Sequence, residues 1–336
     1  MGWLRHWFEP NYNFPLIEAK TISCQDNFTP TNRTGFFISG GIDSLAVLKA
    51  NRLNYPLTHP GSFKDGLLIH GQNIESDNRL STFKKAFDDL SVLAKEAQIE
   101  LIPVYTNIRD LEPSRELFHI SHGSLLAAIG HVFVNRFNTI SVAATGDIPT
   151  LSLVKKSIIK PHGSHPLIDP YYSSRDLRIR YDGLSLSRLD KTRLIADWDV
   201  ALQNIRVCGA NWPGENCGHC EKCVRTMLAL LALGVLDKTK AFHQNDLSVD
   251  LVKKLHIPKP SINGGYGKEI YYLELMPLMA ENGYEDLANA INHMIQRYRN
   301  KLHNKGLKTK IKSFDSKYLG NNLVKIKNRI HGLKKS

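Results

Sequence analysis

The stretch FFISGGIDSLAVLKA, Phe36–Ala50, decides how the chain is read. A short apolar run ends at Ile38, two adjacent glycines follow, and the next residues place Leu45, Leu48 and Leu53 on one helical face. The pattern predicts a strand, a tight loop, and a helix beginning near Ser44. In an open α/β sheet, ligands sit beyond the carboxyl ends of the strands, where a helix N-terminus offers free amides and a positive dipole end to an anion. Gly40 and Gly41 let the backbone curl around phosphate oxygens, and Ser39 and Ser44 add hydroxyl donors. Asp43 would repel phosphate unless it holds or orients a divalent cation such as Mg2+ that the phosphates share. The alternative, a glycine-rich turn with a good helix cap, accounts for the glycines and serines but leaves Asp43 idle.

Working outward, the chain alternates strands and helices. DGLLIHG reads as a buried strand, and LSTFKKAFDDLSVLAKEAQ as a helix with Phe83, Phe87, Leu90 and Leu93 on one side. IELIPVYT is a third strand, SHGSLLAAIGHVFVNRF a mostly apolar helix, and TISVAAT a fourth strand. This order predicts a doubly wound parallel α/β sheet. After Gly146 the period fails: PHGSHPLIDPYYSSRDLRIRYDG reads as a functional loop. SRLDKTRLIADW resumes a helix with Asp190 as its cap, VRTMLALLALG is another, and YEDLANAINHMIQRYRNK a further one. The organisation expected is a lead-in over 1–33, a principal domain over 34–235, a mostly helical extension over 236–296 and a basic tail over 297–336.

The 336 residues carry a formal charge of +12, with 44 Lys and Arg against 32 Asp and Glu. Of these, 13 basic residues and one acid, Asp315, lie in the last 40 positions, so the preceding chain balances at 31 of each sign. The basic pI of 9.4 is therefore a property of the tail. In that tail Leu319, Leu323, Val324, Ile326, Ile330 and Leu333 fall near helical spacing. A basic amphipathic helix there would lie on an anionic membrane, track RNA phosphates, or dock on the body of the protein. MLALLALGVL, Met227–Leu236, is too short to span a bilayer, and the N-terminus lacks the pattern of a secretory signal. The expectation is a cytoplasmic chain without a transmembrane segment.

Four of the five cysteines fall within 16 residues, as C-x8-C-x2-C-x2-C over Cys208, Cys217, Cys220 and Cys223. In a chain read as cytoplasmic this spacing points to metal and not to disulfides, and four thiolates suit a closed tetrahedral Zn2+ site.

The six residues Ser39–Ser44 resemble the S-G-G-x-D-S signature of the PP-loop ATP pyrophosphatases, and the cysteine cluster is similar to the zinc knuckle of the 7-cyano-7-deazaguanine synthase family within that group. LLIHGQNIE resembles a strand of that family ending in Tyr-Gly-Gln, here His70, Gly71 and Gln72. LSLSRLDKTRLIADW resembles its Leu-x-Lys-x-x-Ile helix and places Lys191 where a phosphate-facing lysine is expected. The resemblance spans about residues 34–235. It departs at His70, which stands for a tyrosine, at ISHGSLL, which lacks a Pro-Gly-Arg-Asn, and over the C-terminal extension.

The resemblance implies an adenine nucleotide α hydrolase-like (HUP) fold and an enzyme that splits ATP into AMP and pyrophosphate. In that chemistry Ser39, Gly40, Gly41, Asp43 and Ser44, with Gly71 and Gln72, hold ATP and Mg2+, and Lys191 offsets charge as pyrophosphate departs. The substrate, a small molecule with a carboxylate or amide oxygen, is adenylated there and then attacked by a nitrogen nucleophile. Read without the resemblance, Lys191 is either such a residue or a solvated helix lysine. His162, His165, Asp169, Arg175, Arg178 and Arg180 either grip an anionic substrate or lie on the surface, and His122 is a core or helix-start histidine. No cysteine follows Met1, which favours free ammonia or a substrate amine as the nitrogen source. Two alternatives stand beside this reading. One is a thiolating enzyme of nucleobases or tRNA, for which sulfur must come from outside because only Cys24 is left. The other is a module that binds ATP or RNA without catalysis. Homo-oligomerisation is left open.

Overall fold

Phe36 and Phe37 are neighbours in the chain, yet they bury into two different apolar clusters on opposite sides of one strand. A strand covered on both faces belongs to the interior of a doubly wound sheet. The computed structural model describes Glu18 and residues 32–71, 80–111, 115–146, 163–208, 215–242, 247–257 and 269–318. Gln72, His162, Cys24, the lead-in before residue 32 and the tail beyond Tyr318 lie outside the described residues.

Among the described residues five strands form one sheet: β1 (Thr34–Phe37), β2 (Phe63–His70), β3 (Glu100–Tyr105), β4 (Thr139–Ala143) and β5 (Arg178–Asp182). All neighbouring pairs are parallel, and the order is β3-β2-β1-β4-β5. The chain winds outward from β1 through β2 to β3, then returns to β1's other side for β4. The carboxyl ends of β1 and β4 therefore flank the point where the winding reverses, and a crevice opens there.

One face of the sheet packs Phe36, Ile38 and Leu68 against α1 (Ile42–Asn54), α2 (Leu80–Glu96) and α7 (Glu221–Ala232). The other packs Phe37, Leu67, Ile140, Val142 and Ile179 against Leu126 and Ile129 of α4 (Arg115–Val132). Between α2 and α4 runs a single turn, α3 (Ile108–Leu111). After β5 come α5 (Arg188–Ile195) and α6 (Asp199–Gln203). Beyond α7 the chain is helical: α8 (Val249–Lys254), α9 (Ile270–Leu273), α10 (Met276–Glu281) and α11 (Glu285–Tyr318). Ala290, Ile291, Met294 and Ile295 of α11 bury into the same core as α7. The backbone of α11 runs unbroken past residue 297. No described helix is long and apolar enough to cross a membrane.

Several local readings change. The first helix starts at Ile42 and not near Ser44. Leu53 does not share the buried stripe of Leu45 and Leu48: it is 67% exposed. Arg52 occupies the next position on that stripe and donates to the carbonyls of Ala97 and Phe63. Asp190 is not the cap of α5. Ser187 caps it by accepting from the Asp190 amide, and the Asp190 carboxylate returns the bond to the Ser187 amide. The segment ending in RIRYD is not wholly irregular, for it contains a 3-10 turn at Asp169–Tyr172 and β5 itself. An edge strand half open to solvent keeps polar residues, so its pattern is too weak to read as a strand.

At the amino end of the sheet Asp65 is fully buried and takes two forked arginines. Arg33 reaches its two carboxylate oxygens at 2.5 and 2.7 Å, and Arg136 donates to Oδ1 at 2.9 and 3.0 Å. This clamp joins β2 to the segments entering β1 and β4. Asp65→Asn is expected to cost about 3 kcal/mol, the lower end for breaking a buried ion pair, because both arginine side chains left behind are 36% exposed. Chemical denaturation checks this, and a loss under about 1 kcal/mol would show that the clamp is not structural.

Candidate functional site

The loop after β1 is built around glycine geometry. Gly40 sits at φ +75°, a conformation L side chains rarely adopt, and a Cβ there would crowd Arg206 and Leu90 at 3.3 Å. Gly41 is the N-cap of α1 and supplies no side-chain cap. The Ser44 hydroxyl turns back to donate to the Gly41 carbonyl at 2.9 Å, and the Ser39 hydroxyl accepts from the Gly41 amide at 3.3 Å. The first-turn amides of α1 thus receive no side-chain cap, which leaves them for a ligand. A good cap, the alternative explanation of this loop, is not what the residues form.

Asp43, in the first turn of α1, meets two cations from α5. Arg188 Nη1 lies 2.7 Å from Oδ2, and Lys191 Nζ lies 3.4 Å from Oδ1. Lys191 is only 1% exposed and donates to the Ala144 carbonyl at 2.6 Å, just past the end of β4. It is not a solvated helix lysine. The two residues singled out for catalysis, Asp43 and Lys191, are brought together from positions far apart in the chain.

A cavity of about 430 Å3 opens where the winding reverses. Ile38, Ser39, Asp43 and Ser44 line it from the β1–α1 connection, Leu67–Ile69 from β2, and Val142, Ala143 and Thr145 from the end of β4. Lys191 lies behind Asp43 and does not line it. Gly71 does not line it either. Gly71 holds φ +91° after β2, and a Cβ there would sit 1.7 Å from the Thr106 carbonyl oxygen, so its glycine serves the turn.

His122 projects into the cavity from the middle of α4, edge-on to Phe118, and is therefore not a helix-start residue. Arg206 enters from the segment before the cysteines. Its guanidinium is shifted below the ordinary value by burial, with Asp89 opposing the shift. Neither the spacing of motifs nor a period marks Arg206, because it lies in an extended stretch between α6 and the first cysteine.

Cys208 also lines the cavity, so the cysteine cluster forms part of its wall. The four Sγ atoms lie within 4.8 Å of one another, with separations of 4.0 Å (Cys208–Cys220), 3.9 Å (Cys217–Cys223) and 3.4 Å (Cys220–Cys223). A tetrahedral ion with bonds of about 2.3 Å to sulfur needs sulfur–sulfur edges of about 3.8 Å, so the cluster fits a metal ion such as zinc. The hydrogen bond between Cys220 and Cys223 pushes the Cys220 thiol down and the Cys223 thiol up, and burial pushes the Cys217 thiol up. Asn216, unmarked in the sequence, holds the cluster to the core. Its carbonyl accepts from the Val207 and Cys208 amides, and its amide donates to the Ile205 and Ala241 carbonyls.

His165 and Asp169 are fully buried and serve packing, not a surface grip on substrate. Asp169 accepts from Ser164 Oγ at 2.6 Å and from the His165 amide at 3.0 Å, while burial pushes its carboxyl up to about 6. Burial also pushes His165 down to about 4, and its Nδ1 accepts from the Leu167 amide. Gly123 of α4 lets this segment approach, since a Cβ there would lie 2.4 Å from Asp169 Oδ1. Ser164 is thereby fixed at the cavity wall. Arg175 and Arg178 are exposed and Arg180 pairs with Asp182, so none of the three lines the cavity.

No family model matches the chain, and no curated protein or solved structure is significantly similar to it.

If the cysteine cluster is a structural metal site, folding and metal binding are one equilibrium. Purified protein is expected to carry one zinc per chain, and Cys217→Ser is expected to lower the melting temperature by 5 °C or more, on the order of a lost structural ligand. Metal-free protein as stable as the parent, measured by elemental analysis and calorimetry, would overturn this.

Proposed function

We propose that the chain is an ATP-dependent adenylating enzyme of the PP-loop type, with an adenine nucleotide α hydrolase-like fold and a zinc-bound knuckle. The observation that carries this reading is the convergence at one cavity of the uncapped Ser39–Ser44 loop and an acidic residue backed by two cations. Its position beyond the carboxyl ends of β1 and β4 is where an open parallel sheet binds ligands.

In this reading the α1 amides, Ser39 and Ser44 hold the leaving pyrophosphate, and Asp43 would hold a Mg2+ ion that offsets the phosphate charge. Arg188 and Lys191 fix the direction of the Asp43 carboxylate. Lys191, buried behind it, is a positioning residue: its bond to the Ala144 carbonyl ties the loop to the end of β4. A substrate carboxylate or amide oxygen attacks the α-phosphorus, the bond to the bridging oxygen breaks, and pyrophosphate leaves with that electron pair. A nitrogen nucleophile then displaces AMP from the acyl adenylate. Nitrogen is favoured over sulfur because all four described cysteines sit in the metal cluster, which leaves no described thiol for a sulfur relay.

The test is exchange of labelled pyrophosphate into ATP in the presence of pooled small carboxylates and Mg2+. Exchange is expected for the parent chain and is expected to fall about 100-fold or more in Asp43→Asn, the scale of losing a group that stabilises developing charge. Because the substitution also removes a partner of buried Lys191, its melting curve is measured alongside. A folded Asp43→Asn exchanging at the parent rate, or products limited to ADP and phosphate, would contradict the reading.

A further inference from the structure

Arg206 presents a guanidinium nitrogen, Nη1, that is buried and has no hydrogen-bond partner. A buried polar nitrogen with nothing to meet it carries its full desolvation penalty, larger still when charged, so it calls for a partner from outside the chain. Its stem is fixed. The Arg206 amide donates to the Gly40 carbonyl at 2.8 Å, and its Cβ and Cγ lie where a Gly40 side chain would have to go. Arg206 lines the same cavity as Ser39, Asp43 and Ser44. Asp43 is already engaged by Arg188, and Asp89 acts on the Arg206 guanidinium through its charge without pairing with it. The balance around the cavity is cationic: Arg206 and Lys222 line it and Arg188 and Lys191 stand behind, against Asp43 and Glu215 on its lining and Asp89 behind Arg206.

We infer that Arg206 is a phosphate-binding residue, whose guanidinium grips the pyrophosphate portion of the nucleotide from the side opposite α1. The inference rests on the adenylation reading for the identity of the anion. Its geometry rests on the cavity alone. Two chain segments would then hold one anion, the α1 amides through aligned dipoles and Arg206 through a planar fork suited to phosphate oxygens. The close fit of the Arg206 stem on Gly40 sets the distance between them.

Isothermal titration of the full chain with Mg2+-ATP, pyrophosphate and AMP tests this. Arg206→Gln, which keeps Cβ and Cγ on Gly40, is expected to weaken ATP and pyrophosphate about 10- to 100-fold, the range for one charge-assisted pair, and AMP less than threefold. Arg206→Lys keeps the charge without the fork and is expected to lose an intermediate amount of pyrophosphate affinity. If Arg206→Gln does not fold, Arg206→Lys decides. Parent-like affinity for pyrophosphate in the folded variant, or an equal loss for AMP, would overturn the role of Arg206 and leave the adenylation reading standing. A parent chain that binds neither ATP nor pyrophosphate would overturn both.

Discussion

The ammonium of Lys191 is buried at the carboxyl end of the sheet, and its partners reach it from two different elements. Moving such an ion out of water costs several kcal/mol even after relaxation, and that cost is offset only where partners meet it in good geometry. Here Asp43 supplies the countercharge from α1, and the Ala144 carbonyl supplies an acceptor past β4. Those two contacts lock α5 to the start of α1 and to the end of β4. Once they are made, the loop between β1 and α1 has one direction in which to present its amides.

The same constraint explains the division of roles at the site. Lys191 does not reach the cavity, whereas Asp43 lines it while its two carboxylate oxygens meet Arg188 and Lys191. Arg188, 2.7 Å from Asp43, is largely buried on the same helix turn and shares the load. The cysteine cluster forms part of the cavity wall, with Asn216 joining Cys208 to the core. Its contribution is position, because it carries Arg206 two residues ahead of Cys208.

Much of this was legible in the sequence, for physical reasons that can be named. Strands covered on both faces are continuous apolar runs, so β1, β2 and β4 were readable, and the glycine pair marked the loop because few other residues tolerate its backbone. Four cysteines at short spacing carry their chemistry with them. What could not be read depends on distance in the chain. Nothing local joins Asp43 to Lys191, or Arg206 to Gly40, and β5 hid in a polar stretch because an edge strand needs no apolar alternation. His165 and Asp169 looked like surface groups by residue type, and only the close approach that Gly123 permits puts them inside.

The most direct measurement of the central claim is a crystal structure of the full chain with Mg2+ and an ATP analogue whose α and β phosphates are joined through carbon. The account predicts the terminal phosphates within hydrogen-bond distance of the amides at the start of α1, with the Arg206 guanidinium on their other side and the cation beside Asp43. Phosphates bound elsewhere on the chain, with the Ser39–Ser44 loop untouched, would contradict it.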